Sequence, residues 1–352
     1  MMTSPAWPSS ARSADTAGLE DAAGRVGPAH ADRLAFATTV AGRTAPLAAG
    51  TAGAFFVTLA AIGAADVALA RTVEPHLDAL SILDAAGVAA PAGSAWGVFA
   101  AEAPGLALTV QEHEGGPVLS GTKPWCSLAS SLSHALVTAT VGDGRGLFAV
   151  DLRHPGVTTH DDRWVARGMP GVPSGPVDFD AVPATPVGDP GWYLTRPGFA
   201  WGGIGVAACW FGGAVGLART LRTFAAARSD SDLVRLALGA TVLDLEDAED
   251  ALAGAAARID ADPGLGDADP GPGDAPRPDW PLVAQTVRSR VRAAAARIRA
   301  RVTATIGPAP LTADPDVAAR VADLELYLLQ DHGDRDVARI GRIVLERGGV
   351  AW

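Results

Sequence analysis

Of its 352 residues, the chain has two cysteines, two tyrosines, three methionines and a single lysine, Lys123. Cys126 and Cys209 are too few for a disulfide framework or a cysteine metal set, which points to a reducing compartment. Both read as small buried hydrophobes, and no metal site is expected. Positive charge is scarce as well. The 28 Lys and Arg against 39 Asp and Glu leave a net charge of −11, which argues against a nonspecific nucleic-acid partner. Long apolar runs are few. The most apolar stretch is 52–70, but Asp66 inside it, with Arg71 and Glu74 beside it, makes it a buried helix, and no membrane association is expected. Residues 1–16 are polar, with no apolar core behind a basic start, so the reading is a cytoplasmic protein without a secretory leader. Ala, Gly and Arg are abundant, the mark of a GC-rich genome.

In chain order, residues 1–28 read as a flexible tail and 29–95 as an N-terminal helical domain. Its clearest helix, 53–70, is apolar nearly all round and belongs in an interior. The following segment sets Pro75 at a helix start or a kink. It also crowds Glu74, His76 and Asp78 into five residues, as a solvated first turn with capping acids or as the wall of a cavity. Residues 96–190 turn β-rich, with strands expected at 98–102, 106–111, 134–140, 147–151 and 177–183. Turn signals at 114–116, 142–144 and 154–156 separate them. Residues 191–352 return to helix, over 202–228, 233–260 and 281–306, with a mobile loop at 261–280 dense in Pro, Gly and Asp. The expected fold class is α+β and multidomain: an N-terminal helical domain, a small middle β-domain and a C-terminal helical bundle.

The stretch 117–127 organises the rest. Val118 and Leu119 read as strand, Gly121 and Thr122 as a turn, and 123–127 as the return. That places Trp125 and Ser127 on one strand face, because strand side chains alternate. An aromatic plane beside a hydroxyl is what a planar redox-active ring needs. Gly121-Thr122-Lys123-Pro124-Trp125-Cys126-Ser127 resembles the G-x-K-x-W-x-(Ser/Thr) flavin strand of the acyl-CoA dehydrogenase family. Gly168-Met169 and the strand at 177–183 match its following elements. The order of helices, β-domain and bundle matches as well, over about residues 50–345.

The resemblance implies FAD, with Trp125 against the isoalloxazine, Ser127 at flavin N5 and Cys126 between them. Ala101 stands at the pyrimidine edge, where the family has Thr. Arg228 stands where the family has the Arg of an R-x-x-F-G element that reaches FAD from a neighbouring subunit, although the Phe-Gly is absent. His76 would wall the acyl pocket. Arg288, Arg292 and Arg299 share one stripe of the 281–306 helix, as partners of neighbouring carboxylates or as a diphosphate contact.

The implied reaction is α,β-dehydrogenation of an acyl thioester, presented on CoA or a carrier protein. A base takes the α proton while flavin N5 takes the β hydride. The base has to sit where its pKa can rise. In the family it is often a Glu eight residues after an Arg-Asp pair. Asp323 matches that Asp, with Ala322 in place of the Arg, and eight residues on stands Asp331, one methylene shorter than Glu. Its neighbour His332 is the other candidate. Glu246 and Glu249, on an earlier helix, read as a solvated face. The family also implies a homodimer or homotetramer and an electron-acceptor protein. Two further readings stay open: a flavin-dependent monooxygenase on the same fold, and a non-catalytic, partner-binding member.

Overall fold

The β-rich centre folds as one sheet. In the computed structural model, which describes residues 4–262 and 278–347, its strands are β1 (Trp96–Phe99), β2 (Leu108–His113), β3 (Gly116–Lys123), β4 (His134–Val141), β5 (Gly144–Asp151), β6 (Val157–Thr159), β7 (Val177–Pro183) and β8 (Thr185–Pro186). Their order is β6-β7-β3-β2-β4-β5-β8, with β1 parallel to β4. Two of the expected turns close hairpins, β2 to β3 and β4 to β5. At Gly121 and Thr122, however, the structure has strand where a turn was expected. Gly121 adopts φ 120°, and a Cβ there would lie 2.2 Å from the Ala107 carbonyl oxygen. The pairing of β3 with β7 shifts register at this point. Glycine therefore bends the strand through a bulge without ending it. In turn, β1 stops at Phe99, so Ala101 and Glu102 lie beyond the strand predicted to hold them.

The helices are α1 (Thr16–Ala23), α2 (His30–Ala41), α3 (Ala52–Ala65), α4 (Val67–Ala85), α5 (Trp192–Thr195), α6 (Pro197–Ala226), α7 (Asp232–Asp260), α8 (Trp280–Ile306), α9 (Pro308–Ala313), α10 (Pro315–Leu328) and α11 (Asp334–Glu346). Contacts divide the chain into two units, each assembled from separated stretches. One comprises Met1–Gly24, Leu47–Ala70 and Ala200–Trp352, the other Arg25–Pro46 and Arg71–Phe199. The segment 29–95, expected as one domain, is shared between them.

In the helical unit, α3 is buried on all sides. It meets α6 where both carry glycine: a Cβ on Gly212 would lie 2.2 Å from the Ala60 carbonyl oxygen, and one on Gly63 2.7 Å from that of Cys209. The helix predicted at 53–70 is broken at Asp66, whose backbone is extended (φ −150°) and whose carboxylate accepts the Leu69 N–H at 2.8 Å as a cap of α4. Arg320 donates to the carbonyls of Ala64 and Ala65 and so satisfies the end of α3. Helices α7 and α8 pair through Asp244, which accepts from Arg297 and Arg301 at 2.8 and 2.7 Å. The described part of the expected tail is folded here. Trp7 is buried and donates Nε1–H to Glu249 at 2.8 Å, and Ser10 bonds Asp260. The tail's polar composition hid these apolar anchors. Most of the loop expected at 261–280 lies outside the described residues.

In the sheet unit, Ala79, Ile82 and Leu83 of α4 pack with Trp96, Leu136, Leu147, Val187 and Tyr193 into a core. Pro75 lies inside α4, so Glu74, His76 and Asp78 are mid-helix and not a solvated first turn. Among the described residues one helix, α6, is long and apolar enough to cross a membrane by length and composition, and 83% of its most apolar window is buried.

Candidate functional site

The predicted flavin strand ends at Lys123, before the Trp125 and Ser127 of its own motif. Proline has no N–H for the ladder, and β3 stops at Lys123. The Cys126 and Leu128 N–H groups turn away to the carbonyls of Gly175 and Pro173, at 2.9 and 2.7 Å. Trp125 and Leu128 adopt φ 51° and 60°, a left-handed conformation unfavourable for residues with a Cβ and concentrated at functional sites. Trp125 and Ser127 are therefore placed by a strained loop and not by strand alternation. The indole is 55% exposed, whereas the Ser127 hydroxyl is buried. The Cys126 thiol points inward to the Lys123 and Pro124 carbonyls, and burial pushes its pKa up. A ligand lying on Trp125 would meet Cys126 only through its backbone.

A proton count fixes what Ser127 can do. Ser174 donates its one proton to the Val172 carbonyl, at 3.0 Å. In the 2.8 Å contact between the two hydroxyls, Ser127 is therefore the donor. Arg71 Nη2 donates to Ser127 Oγ at 3.0 Å. The Ser127 proton is thus committed, and what remains is one acceptor lone pair beside a guanidinium. Arg71 also pairs with Glu74 at 3.6 Å. Together with Thr72, Trp96, Phe99, Leu128 and Leu132, Arg71 and Ser127 line a crevice of about 10 Å³, room for a water and not for a ring. Arg71 and Ser174 carry no motif. They reach Ser127 only through the fold, and sequence reasoning missed them.

A second cavity, of about 90 Å³, is lined by Ala101, Glu102, Thr122, Lys123, Pro124 and Thr138 among others. Lys123 is 3% exposed and donates Nζ–H to both the carbonyl and the hydroxyl of Thr138, at 2.7 and 2.8 Å. Burial lowers its pKa to about 8, opposed by Glu102, which is itself paired with Arg145.

His76 is 1% exposed and lines neither cavity. Its Nδ1 accepts the Trp96 N–H at 3.2 Å, while Nε2 is buried without a partner. Burial lowers its pKa to about 4. Two residues on, burial raises the Asp78 carboxyl to about 6, opposed by Arg196.

The remaining candidates lie in the helical unit. Asp331 is 5% exposed, in the turn between α10 and α11. Its Oδ1 pairs with Arg292 Nε at 3.0 Å and accepts the Gly333 N–H at 2.8 Å, and its Oδ2 is buried without a partner. His332 is exposed, 3.5 Å from Asp336. Arg299 pairs with Glu325 at 3.1 Å, so at least two of the striped arginines partner carboxylates as expected; Arg288 bonds the Gly203 carbonyl, lies over Trp210 and helps to lower the Asp336 pKa. Arg228, just past the end of α6, is exposed, with its guanidinium 3.8 Å above the Phe224 ring of that helix. Glu249 is buried against Trp7 and Glu246 is exposed, so only one of these two acids lies on a solvated face. Among the described residues no group of three His, Cys, Asp or Glu could hold a metal ion.

No protein-family model and no curated protein sequence matches the chain. Solved structures do. KijD3, in complex with FMN and dTDP-3-amino-2,3,6-trideoxy-4-keto-3-methyl-D-glucose, is 16% identical with a TM-score of 0.76, covering 99% of this chain and 95% of its own. Butyryl-CoA dehydrogenase from Megasphaera elsdenii is 14% identical with a TM-score of 0.68, over 84% and 82%. The chain has the acyl-CoA dehydrogenase fold. That fold also carries dibenzothiophene monooxygenase (TdsC) from Paenibacillus sp. A11-2, at 17% identity, TM-score 0.68 and coverage of 96% and 95%. Within the acyl-CoA dehydrogenase fold, then, the proteins similar to this chain include a dehydrogenase and a monooxygenase.

Proposed function

We propose that the chain is a flavin-dependent oxidoreductase of the oxygen-using kind, and that it is not an acyl-thioester dehydrogenase. The observation that carries this reading is Asp331. A dehydrogenase base needs a carboxylate that presents its lone pairs to substrate, whereas Asp331 holds an ion pair with Arg292 and caps Gly333. A monooxygenase on this fold needs no carboxylate base. The likeness to TdsC, a dibenzothiophene monooxygenase matched over nearly its whole length, supports the same direction, and the FMN bound to KijD3 supports the flavin.

The residues fit a flavin ring at its reacting edge. Trp125 offers an exposed face for stacking, and Ser127 offers an acceptor, which suits the N5–H of reduced flavin and not the N5 lone pair of oxidised flavin. Arg71 stabilises negative charge there. The fit to an adenylate is weaker, because Arg228 is stacked on Phe224, so FMN serves this site as well as the FAD first expected. When bound, the flavin supplies the two electrons with which dioxygen is divided between substrate and water. The protein's part is to orient the ring, keep water from its edge with Phe99, Leu128 and Leu132, and hold the Ser127 proton on Ser174. A flavin reductase would be the electron-supplying partner, and the homodimer or homotetramer of the family remains part of the proposal.

Acyl-thioester dehydrogenation is the second reading, favoured by the unpartnered Asp331 Oδ2. One experiment separates the two. Wild type and Asp331→Asn are loaded with FMN or FAD and given either acyl-CoA without oxygen or NADH, a flavin reductase and oxygen with candidate acceptors. The proposal expects acyl-CoA to leave the flavin colour intact and reductase-driven product to survive Asp331→Asn. Anaerobic bleaching by acyl-CoA that is lost in Asp331→Asn would overturn it.

A further inference from the structure

The sequence contains 28 Lys and Arg, of which 27 are Arg (28 less the one Lys). Lys123 is therefore the one amine side chain of the chain. It is buried at the end of β3, where its compact, three-donor ammonium is held by Thr138. Two of its three protons go to Thr138, and the third has no protein acceptor among its described bonds. The group borders a cavity of about 90 Å³. At roughly 30 Å³ per water, this is room for the edge of a ring and not for a whole one. Glu102, on the same wall, is paired with Arg145, so it does not take up the remaining Lys123 proton and an oxygen acceptor from a ligand fits there. Ala101 brings no donor to this wall. Trp125, the exposed stacking face, is two residues along the chain from Lys123, within about 7 Å along the backbone.

We propose that Lys123 is a ligand-binding residue whose free N–H is donated to the carbonyl-imide edge of the ring stacked on Trp125. This rests on the flavin reading above and extends it: the single lysine takes over the polar grip that Ala101 lacks. The depressed amine pKa of about 8 leaves Lys123 largely protonated at neutral pH and chemically reactive slightly above it.

Because the chain has one lysine, amine chemistry reads it without ambiguity. Purified full-length protein is first titrated with FMN and with FAD by flavin fluorescence. It is then reductively methylated with formaldehyde and a borane–amine complex as hydride donor at pH 8, with and without saturating flavin, and Lys123 and the N-terminal amine are followed by mass spectrometry. The expected result is methylation of Lys123 in the free protein, slowed at least about tenfold by flavin, the effect of one charge-assisted hydrogen bond, with the N-terminal amine unaffected. Equal Lys123 rates in the two states overturn the proposal, as does no reaction in either, since an amine open to the cavity reacts. Lys123→Met and Lys123→Arg are expected to lower flavin affinity by about tenfold or more. Wild type that takes up no flavin overturns the flavin reading itself, whereas uptake with an unprotected Lys123 overturns this inference alone.

Discussion

Ser127 shows how a neighbour's proton decides what a hydroxyl can recognise. Its motif was readable in the sequence, and so was the pairing with Trp125. The geometry was not, because Pro124 ends β3 and the loop beyond it depends on carbonyls about fifty residues away. The acceptor character of Ser127 was legible even less, since it is fixed by Ser174 and Arg71. Removing the Ser174 hydroxyl releases the Ser127 proton, which becomes available to oxidised flavin. Ser174→Ala is therefore expected to weaken the preference for reduced flavin, and Arg71→Ala to do so further. The measurement is the midpoint potential of bound flavin: more positive than free flavin in wild type, and less so in each variant. An unchanged potential in both would show that the relay does not govern the ring.

At the scale of elements, the long helices were legible because periodicity and length agree: 202–228, 233–260 and 281–306 are α6, α7 and α8 to within a few residues. The break at Asp66 was not, since an all-round apolar run hides where one helix caps the next. The crossing of α3 and α6 depends on missing Cβ atoms. Gly212→Ala gains about 1 kcal/mol of helix propensity but drives a methyl into the Ala60 carbonyl. Such overpacking costs typically about 1–3 kcal/mol. The net expectation is destabilisation, larger for Gly212→Val, read as a lower urea midpoint with an unchanged slope. A midpoint at or above wild type for both would refute the close crossing.

For the whole molecule, the sequence order of helices, strands and helices was readable, but the two units were not, because each draws on distant stretches. Stability against pH is set at this scale by opposed groups. His76 titrates at about 4 in the fold and near 6.5 unfolded, so its contribution is complete above 6.5 and is lost as pH falls towards 4. Asp78 titrates at about 6 in the fold and near 3.8 unfolded, so its contribution is complete below 3.8 and is lost as pH rises through 6. The two nearly cancel. Relative to wild type, His76→Gln should therefore gain stability as pH is lowered from 6.5 to 4, and Asp78→Asn should lose it over the same interval. Denaturant melts at pH 4.5, 5.5 and 7 check both slopes, and parallel profiles for all three proteins would contradict the assignment.

The seam between α3 and α6 also sets a timetable for synthesis. Gly63 waits for Gly212, roughly 150 residues later, and at about 5–20 residues per second that is roughly 8–30 s during which the face of α3 that α6 covers has no final partner. The sheet unit, whose residues lie between, is finished first and can fold while the helical unit still lacks its second half. The nascent chain thus makes its stickiest segment, α3, well before α6, the cover for that segment. Its demand on chaperones falls while it is still on the ribosome.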